Sequence, residues 1–245
     1  MLRLIALLFC CALPAQPTPA RAETALVAVA ANFAGVAEAL AADYSAQSGH
    51  ALQLTTGATG KLYAQIVAGA PFDLMLSADA ATPARLHAEG HGAPQPYAYG
   101  VLTFWAPGVA ADTDAQALLR GDSLRHIAIA NPDLAPYGAA ARAALQALGL
   151  EAALSGKIVM GQNIGQTFAL VQSGAAEAGF IARSALGPEA KGLIWDVPPT
   201  LYPAIQQDAL LLQHGAANPA AIGFLAYLTT AEARDRIAAS GYGVP

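Results

Sequence analysis

Residues Leu26–Phe33 have the sequence LVAVAANF, in which a run of small apolar residues leads directly into a helix-like pattern. The same form, with a Gly, Asn, Thr or Pro turn before the helix, recurs in three further stretches, Thr55–Leu62, Ile129–Gly138 and Val159–Gln166. A strand that turns directly into a helix leaves the first helical N–H groups unpaired, and these donors attract anions together with the helix dipole. Four such turns in one chain predict a binding site for an oxyanion.

Strand-like and helix-like runs alternate along the whole chain, which is the pattern of an α/β fold. The helix predicted over 33–48 is the clearest, because Asn32 is a favourable N-cap and an apolar stripe follows at helical spacing, formed by Phe33, Val36, Ala37, Leu40 and Tyr44. Strands are predicted at 26–31, 51–55, 73–77, 99–105, 126–130, 157–161, 178–182 and 208–213. Helices are predicted near 33–48, 60–68, 80–89, 114–120, 136–148, 165–174, 217–228 and 230–240.

The first 22 residues predict a cleavable secretory signal peptide, with Arg3 before an apolar core and an A-x-A site that ends at Ala22. A membrane anchor is the alternative, but the apolar core is about half of the roughly 20 residues that span a bilayer. We therefore expect cleavage after Ala22, a periplasmic location and no membrane insertion. Cys10 and Cys11 lie in this segment, so we expect no disulfide and no thiol chemistry in the mature protein.

The chain is acidic, with 12 Lys and Arg residues against 17 Asp and Glu residues. Because two of the arginines lie in the predicted signal peptide, the mature chain would carry a formal net charge of −7. This balance argues against nucleic acid or an anionic membrane surface as the partner. An anion would have to be held by local donors, since the overall field repels it.

The length is large for one core and suits two lobes. Two stretches are candidates for crossings between lobes: the apolar run 100–105 and the proline-interrupted stretch 198–208. The lobes would then be 23–102 joined to 205–245, and 103–204. We expect the ligand in the cleft between them, where strands end and helices begin.

Several of these motifs resemble those of the periplasmic molybdate-binding proteins of ABC importers. The resemblance covers nearly the whole mature chain, through AVAANF, TTGATGKL, QIVAGAPFDLMLSAD, IANPDLAPYGAAARAAL and GQNIGQTFALVQSGAAEAGFIA. The segment 68–79 is the most specific, because its spacing after the second turn matches the family. The resemblance implies a two-lobed, type II periplasmic binding protein, with mixed sheets flanked by helices and two crossover hinge segments.

The resemblance also implies that uncharged donors from the four turns hold the oxyanion, at Ala31, Asn32, Thr59, Gly60, Tyr137 and Ile164. Molybdenum would be bound as molybdate, through Asn32, Thr59, Tyr137 and Ile164, and tungstate is the second expected ligand. No cofactor is implied. The implied partners are an ABC permease and its ATPase, and the protein is expected to be a monomer. Many family members carry Ser in place of Asn32, and some carry a tyrosine in place of Ala182, so the coordination number and the preference among oxyanions stay open.

Each motif also has an ordinary structural interpretation. Asn32 could be only an N-cap, Tyr137 could be a packing residue, and glycine-rich turns such as Thr59-Gly60 are common. The second turn is not a P-loop, because Leu62 stands where Ser or Thr would hold magnesium. The charged residues near the turns, Lys61 and Arg183, should face away from the ion, and Asp73 and Asp79 are interpreted as structural.

Two other classes of function are weighed against an oxyanion receptor for molybdate. An enzyme of small oxyanions or phosphate esters would need an acid, a base or a metal cluster at the four turns, and the sequence supplies none there. His87 and His91 have no third ligand, and Ser123, His126 and Asp133 lack the G-x-S-x-G motif of a hydrolase. A receptor for sulfate or another tetrahedral oxyanion in the same fold remains open.

Overall fold

A computed structural model describes residues 22–245, and the predicted signal peptide lies outside these residues except for Ala22. The strands are β1 Thr24–Ala30, β2 Ala51–Gly57, β3 Leu74–Leu76, β4 Gln95–Gly100, β5 Leu102–Ala106, β6 Ile127–Ala130, β7 Ile158–Gly161, β8 Ala178–Ala182, β9 Leu193–Asp196 and β10 Ile205–Leu211. The helices are α1 Ala34–Ser48, α2 Thr59–Val67, α3 Ala81–Ala88, α4 Ala115–Arg120, α5 Pro136–Ala147, α6 Glu151–Leu154, α7 Ile164–Gln172, α8 Pro219–Tyr227 and α9 Ala231–Ala239.

The strands form two five-stranded mixed sheets. The first has the order β2-β1-β3-β10-β4, with β1 parallel to β2 and β3, and β10 antiparallel to β3 and β4. The second has the order β7-β6-β8-β5-β9, with β6 parallel to β7 and β8, and β5 antiparallel to β8 and β9. Each sheet and its flanking helices form a lobe: the first lobe contains the sheet of β1, and the second lobe contains the sheet of β6.

Successive side chains of a strand point to opposite faces of its sheet, and helices pack against both faces. In the first lobe, Val27 and Val29 pack in one core with residues of α1, α8 and α9, while Ala28 between them packs with residues of α2 and α3. In the second lobe, Phe104 packs in a core with α4 and α5, and its neighbour Trp105 packs on the opposite face with α7. Both faces of each sheet are therefore covered.

The predicted strand over 99–105 is wrong as a single element. The chain leaves the first sheet after Gly100, passes through Val101 and enters the second sheet at Leu102. The two strands share one continuous extended and apolar run, so the local pattern carries no mark of the change of sheet. The chain returns between Asp196 at the end of β9 and Ile205 at the start of β10. β9 and the short α6 were not predicted.

Four strands lead into helical segments, directly or after a turn of at most five residues, and they form two pairs of neighbouring parallel strands. In the first sheet, β1 leads into the 3₁₀ segment Ala31–Phe33 and α1, and β2 leads into α2. In the second sheet, β6 leads towards α5, and β7 leads into α7. Because the carboxyl ends of parallel neighbours lie at one edge of a sheet, each lobe presents two helix starts together.

Candidate anion-binding site

The four turns meet around one small cavity between the lobes, in which the centre of a water-sized sphere can occupy about 10 Å³. The residues that line it are Ala30, Ala31, Asn32, Gly57, Ala58, Thr59, Ala78, Ala135, Pro136, Tyr137, Asn163 and Ile164. Five of the six predicted site residues are among them, namely Ala31, Asn32, Thr59, Tyr137 and Ile164. Gly60 is the exception.

The lining offers neutral donors, since none of its residues has a side chain that is charged at neutral pH. Lys61 and Arg183, the charged residues near the turns in the sequence, have partners elsewhere. Lys61 Nζ donates to Gln162 Oε1 at 3.0 Å, and Arg183 Nε lies 3.5 Å from Asp196 Oδ1. Neither lines the cavity, in agreement with the sequence-based expectation that they face away from it. An anion here would be held by N–H groups, amides and hydroxyls.

Thr59, the first residue of α2, is 2 % exposed. Its Oγ1 accepts a hydrogen bond from the Ala78 N–H at 3.2 Å, and both residues line the cavity. Because the oxygen is used as an acceptor from the backbone, the hydroxyl hydrogen can be donated to a ligand.

Gly60 contributes to the contact between the lobes in this structure. Its N–H donates to the carbonyl oxygen of Leu134 at 3.0 Å, which joins the start of α2 in the first lobe to the turn before α5 in the second. A side chain at this position would crowd the partner, since a Cβ would lie 3.3 Å from both the Cα and the O of Leu134. The Gly60 N–H, which the sequence analysis predicts as a donor to the anion, is thus hydrogen-bonded to the other lobe.

Asn32 is not a helix N-cap, contrary to the pattern-based prediction. It lies inside a 3₁₀ segment, and neither that segment nor α1 has a side-chain capping bond. Its Nδ2 donates to Gln207 Oε1 at 2.9 Å and to Tyr242 Oη at 3.1 Å. Its Oδ1 is buried and has no hydrogen-bond partner within residues 22–245. The Asn32 side chain therefore makes tertiary hydrogen bonds and does not cap its own helix.

Tyr137, in the first turn of α5 after Pro136, is 1 % exposed and belongs to the core of the second lobe. Its Oη accepts a hydrogen bond from Gln207 Nε2 of the first lobe at 3.3 Å. Burial holds the pKa of the Tyr137 hydroxyl well above its ordinary value, so the group stays protonated and neutral at physiological pH. The sequence left open whether Tyr137 is a ligand-site residue or a packing residue. In the structure it lines the cavity and also packs in the core of the second lobe.

Ile164 begins α7, and its side chain is buried. The N-cap residue Asn163 accepts from the Gln166 N–H at 2.9 Å through its Oδ1, which satisfies one donor of the first turn. The N–H groups of the residues before Gln166 in this turn have no acceptor within their own helix. Ile164 can offer only its backbone N–H to a ligand, as expected.

A buried polar network behind the cavity was missed by the sequence analysis. Gln207 on β10 bonds to Asn32 and Tyr137, and it accepts from Tyr97 Oη at 3.1 Å. Tyr242 Oη donates to the Asn32 carbonyl oxygen at 2.7 Å and accepts from Ser184 Oγ of the second lobe at 2.8 Å. The available signal was the polar run Gln206-Gln207-Asp208 inside an otherwise apolar strand.

Three other predicted residues have positions outside the cavity lining. Asp73 is buried and accepts from the Leu26 N–H at 2.7 Å, and Asp79 Oδ1 accepts from the Thr82 N–H at 2.8 Å at the start of α3. Both carboxylates therefore have structural roles, as predicted. Ala182, where some family members are expected to carry a tyrosine, is buried at the end of β8. It contributes no polar group.

Two lobes joined by crossing strands, with helix starts of both lobes at one cavity, define a type II solute-binding protein. A family model described as bacterial extracellular solute-binding protein matches residues 25–243. The chain is 41 % identical to the molybdate-binding protein ModA of Rhodobacter capsulatus over 227 residues, which cover 91 % of this chain and 90 % of that protein. It is also 41 % identical to ModA of Azotobacter vinelandii over 231 residues, which cover 92 % of each.

The solved structure of the periplasmic molybdate-binding protein of Azotobacter vinelandii superposes with a TM-score of 0.86 at 35 % identity, over 90 % of this chain and 99 % of that one. The chain therefore belongs to the bacterial extracellular solute-binding proteins, in the group of the ModA molybdate-binding proteins. This confirms the resemblance inferred from the sequence motifs. Within residues 22–245, no helix combines the length and the apolar composition that crossing a membrane requires.

Proposed function

We propose that this protein captures molybdate in the periplasm and delivers it to an ABC permease and its ATPase. The observation that carries the proposal is the convergence of four helix starts, two from each lobe, on one cavity whose lining residues are all uncharged. The names of the relatives, which are molybdate-binding proteins, support the choice of ligand.

The proposed ligand contacts are Ala31, Asn32, Thr59, Gly60, Tyr137 and Ile164, through backbone N–H groups, the Thr59 hydroxyl and the Asn32 amide. Each hydrogen bond to the dianion would contribute on the order of 1.5–3 kcal/mol. Neutral donors suit a site that must also empty, because a buried lysine or arginine would be left without a partner after release. Gly60 would reach the ion only if its bond to Leu134 were exchanged.

Capture would proceed by closure of two lobes around the ion. One lobe is formed by residues 23–102 together with 205–245, and the other by residues 103–204. Val101 and the segment between Asp196 and Ile205 would be the hinges. The contacts across the cleft support this motion. The Gly60 to Leu134 bond and the Lys61 to Gln162 bond both join the two lobes, and opening of the lobes would break them. Only the closed form brings the donors of both lobes to one ligand.

Tungstate has the same charge and tetrahedral shape as molybdate, and we propose that it is captured too. The protein would act as a monomer, without a cofactor and without catalysis. A cleavable signal peptide over 1–22, cut after Ala22, would direct it to the periplasm.

A competition titration by calorimetry with molybdate, tungstate, sulfate and phosphate tests the proposal. Phosphate keeps a proton near neutral pH, and a site made of donors offers that O–H no acceptor. We expect molybdate to bind at least about a hundredfold more tightly than phosphate, the effect of one unpaired buried polar group. Comparable affinities for these two anions would contradict a donor-only site, and tighter binding of sulfate than of molybdate would assign the protein to sulfate instead.

A further inference from the structure

Lys61 carries the one positive charge in the four turns 26–33, 55–62, 129–138 and 159–166. We propose that this charge raises the affinity of the site for a dianion without touching it, and that Gln162 of the second lobe is the neutral tether that keeps the charge in place. Lys61 would then be an affinity-determining residue outside the set of ligand contacts. The inference rests on the proposed function, because it needs a dianion in the cavity.

Lys61 and Gln162 lie on the side of the cleft that is opposite the crossings between the lobes. Lys61 follows β2, an edge strand of the first sheet, and Gln162 follows β7, an edge strand of the second. The crossings join β4 to β5 and β9 to β10, which lie at the other side of both strand orders. Lys61 is exposed and stands two residues after Thr59, which lines the cavity. The charge is thus held near the cavity without the cost of burying it.

The charge of Lys61 is not neutralised by a neighbouring carboxylate. Its Nζ donates to Gln162 Oε1 at 3.0 Å, and Lys61 forms no ion pair with a carboxylate of residues 22–245. The other charged residue of the four turns is Asp133, whose Oδ1 lies 3.7 Å from Arg142 Nη1. Of the charged groups in the turns, Lys61 alone therefore keeps an uncompensated charge.

The position of Lys61 within its helix is unfavourable for a cation. It is the third residue of α2, and the first turn of α2 contains no acidic residue. Because the N-terminal end of a helix carries a partial positive charge, a lysine there destabilises the helix, whereas an anion stabilises it. A dianion at the start of α2 is attracted both by Lys61 and by the helix end. The local conflict is therefore offset when an anion is bound, as is typical of functional positions.

A neutral tether suits this role better than a charged one. An ammonium group can only donate, so the atom of Gln162 that faces it must be the amide oxygen. A carboxylate at position 162 would bind the ammonium group more strongly, but it would cancel the positive charge at the distance of the ion. The amide fixes the ammonium group and leaves its charge available to the dianion. Because Gln162 belongs to the second lobe, the tether forms only when the lobes are together.

Calorimetry with molybdate at two ionic strengths tests the inference, since salt screens the effect of an exposed charge. At about 0.01 M salt, where the Debye length is about 30 Å, Lys61→Met should bind molybdate about fivefold more weakly than the wild type. At about 1 M salt, where the Debye length is about 3 Å, the loss should fall below about twofold. Lys61→Arg keeps the charge and should bind nearly as the wild type does at both.

Lys191→Met is the matched control, because it changes the net charge of the protein by the same amount. Lys191 is exposed and precedes β9, whose first residue Leu193 pairs with Ala106. Ala106 is at the end of β5 that is distant from the crossing. This variant should bind molybdate as the wild type does at both ionic strengths.

Two variants of Gln162 separate the charge from the tether. Gln162→Met removes the bond and keeps the charge, so the loss should be at most about twofold and the same at both ionic strengths. Gln162→Glu strengthens the bond and cancels the charge, so it should lose about fivefold at low ionic strength, as Lys61→Met does. A purely structural tie predicts the opposite order, with Gln162→Glu binding at least as tightly as the wild type and Gln162→Met as weakly as Lys61→Met.

Three results would overturn the inference and leave the proposed function standing. They are a Lys61→Met loss that is absent at low ionic strength or equal at both ionic strengths, the structural order of the Gln162 variants, and a low-salt loss in Lys191→Met equal to that in Lys61→Met. Absence of molybdate binding by the wild-type protein would overturn both proposals. All the substituted residues are exposed, and thermal unfolding of each ligand-free variant checks that it is folded.

Discussion

The hydroxyl of Tyr137 fills the space that Gly100 leaves by having no side chain. A Cβ atom at position 100 would overlap Tyr137 Oη and would stand 2.8 Å from both Tyr137 Cζ and Gln207 Nε2. Gly100 ends β4 immediately before the crossing to the second sheet, and Tyr137 begins the helix α5 at the cavity. One side chain thus reaches from the candidate anion site to a proposed hinge.

Gly100→Ala should impair closure, because Tyr137 can no longer reach its place between the lobes. We expect molybdate affinity to fall at least about tenfold by calorimetry, since overpacking costs typically 1–3 kcal/mol. Adding Tyr137→Phe removes the overlapping oxygen and should restore part of the loss. Gly35→Ala, where an added Cβ meets nothing within 4 Å, is the matched control and should bind normally. Unchanged affinity of Gly100→Ala would refute the role of this contact.

A series at Thr59 tests the second turn. Thr59→Ser keeps the hydroxyl that bonds Ala78 and should bind molybdate nearly as wild type does. Thr59→Ala removes the donor and leaves the Ala78 N–H unpaired, which should weaken binding by about 1–3 kcal/mol. Thr59→Asp places a carboxylate against the dianion, a repulsion of several kcal/mol at an effective dielectric near 20, and should bind at least about a thousandfold more weakly.

Calorimetry of the three Thr59 variants gives this order directly. Thr59 is the first residue of α2 and is buried, so the ligand-free Thr59→Asp protein should melt below the wild-type temperature, and the same melting experiment checks that it is folded at the temperature of the titration. If the Asp and Ala variants bound molybdate equally well, Thr59 would not be at the ion.

Solution scattering tests closure of the lobes. Molybdate should reduce the radius of gyration of the wild-type protein by shifting an open population to the closed form. Gly60→Val keeps the backbone N–H but places its side chain against Leu134, where even a Cβ would lie at 3.3 Å, and should keep the larger radius with molybdate present. If molybdate left the scattering profile of the wild-type protein unchanged, and Gly60→Val gave the same profile as the wild type, closure at this contact would be excluded.

Stability should fall steeply at alkaline pH because of buried tyrosines. Burial raises the pKa of Tyr242 to about 12 from its ordinary value of 10.0, and it raises the pKa values of Tyr97 and Tyr137 as well. Above pH 10 the unfolded chain loses these protons while the folded protein retains them. The associated stability is therefore complete below pH 10 and is lost as the pH rises towards 12.

Melting temperatures measured between pH 8 and pH 11 check this expectation. Tyr242→Phe should be less stable at pH 8, because it loses the bond to the Asn32 carbonyl oxygen, but its melting temperature should decline less steeply with pH. A parallel decline in the variant and the wild type would show that Tyr242 does not contribute.

Much of the site could be predicted from the sequence because it depends on local chemistry. The strand-like runs before Asn32, Thr59, Tyr137 and Ile164 predict a strand that passes into a helical segment, and such a turn carries its own unpaired donors. The neutrality of the lining follows from the residue types in these turns. The helix predicted over 136–148 is observed as Pro136–Ala147, because proline in the first turn and an apolar face are signals within one helix.

Tertiary structure alone decided what each donor does. Asn32 has the local features of an N-cap, yet its amide bonds Gln207, which is 175 residues away in sequence. Gly60 has a free N–H by local criteria, yet Leu134 of the other lobe accepts from it. The run around Val101 is continuous in composition, yet it belongs to two sheets. Sequence patterns report the periodicity and the ends of single elements, whereas hydrogen bonds between distant elements depend on how the two lobes pack.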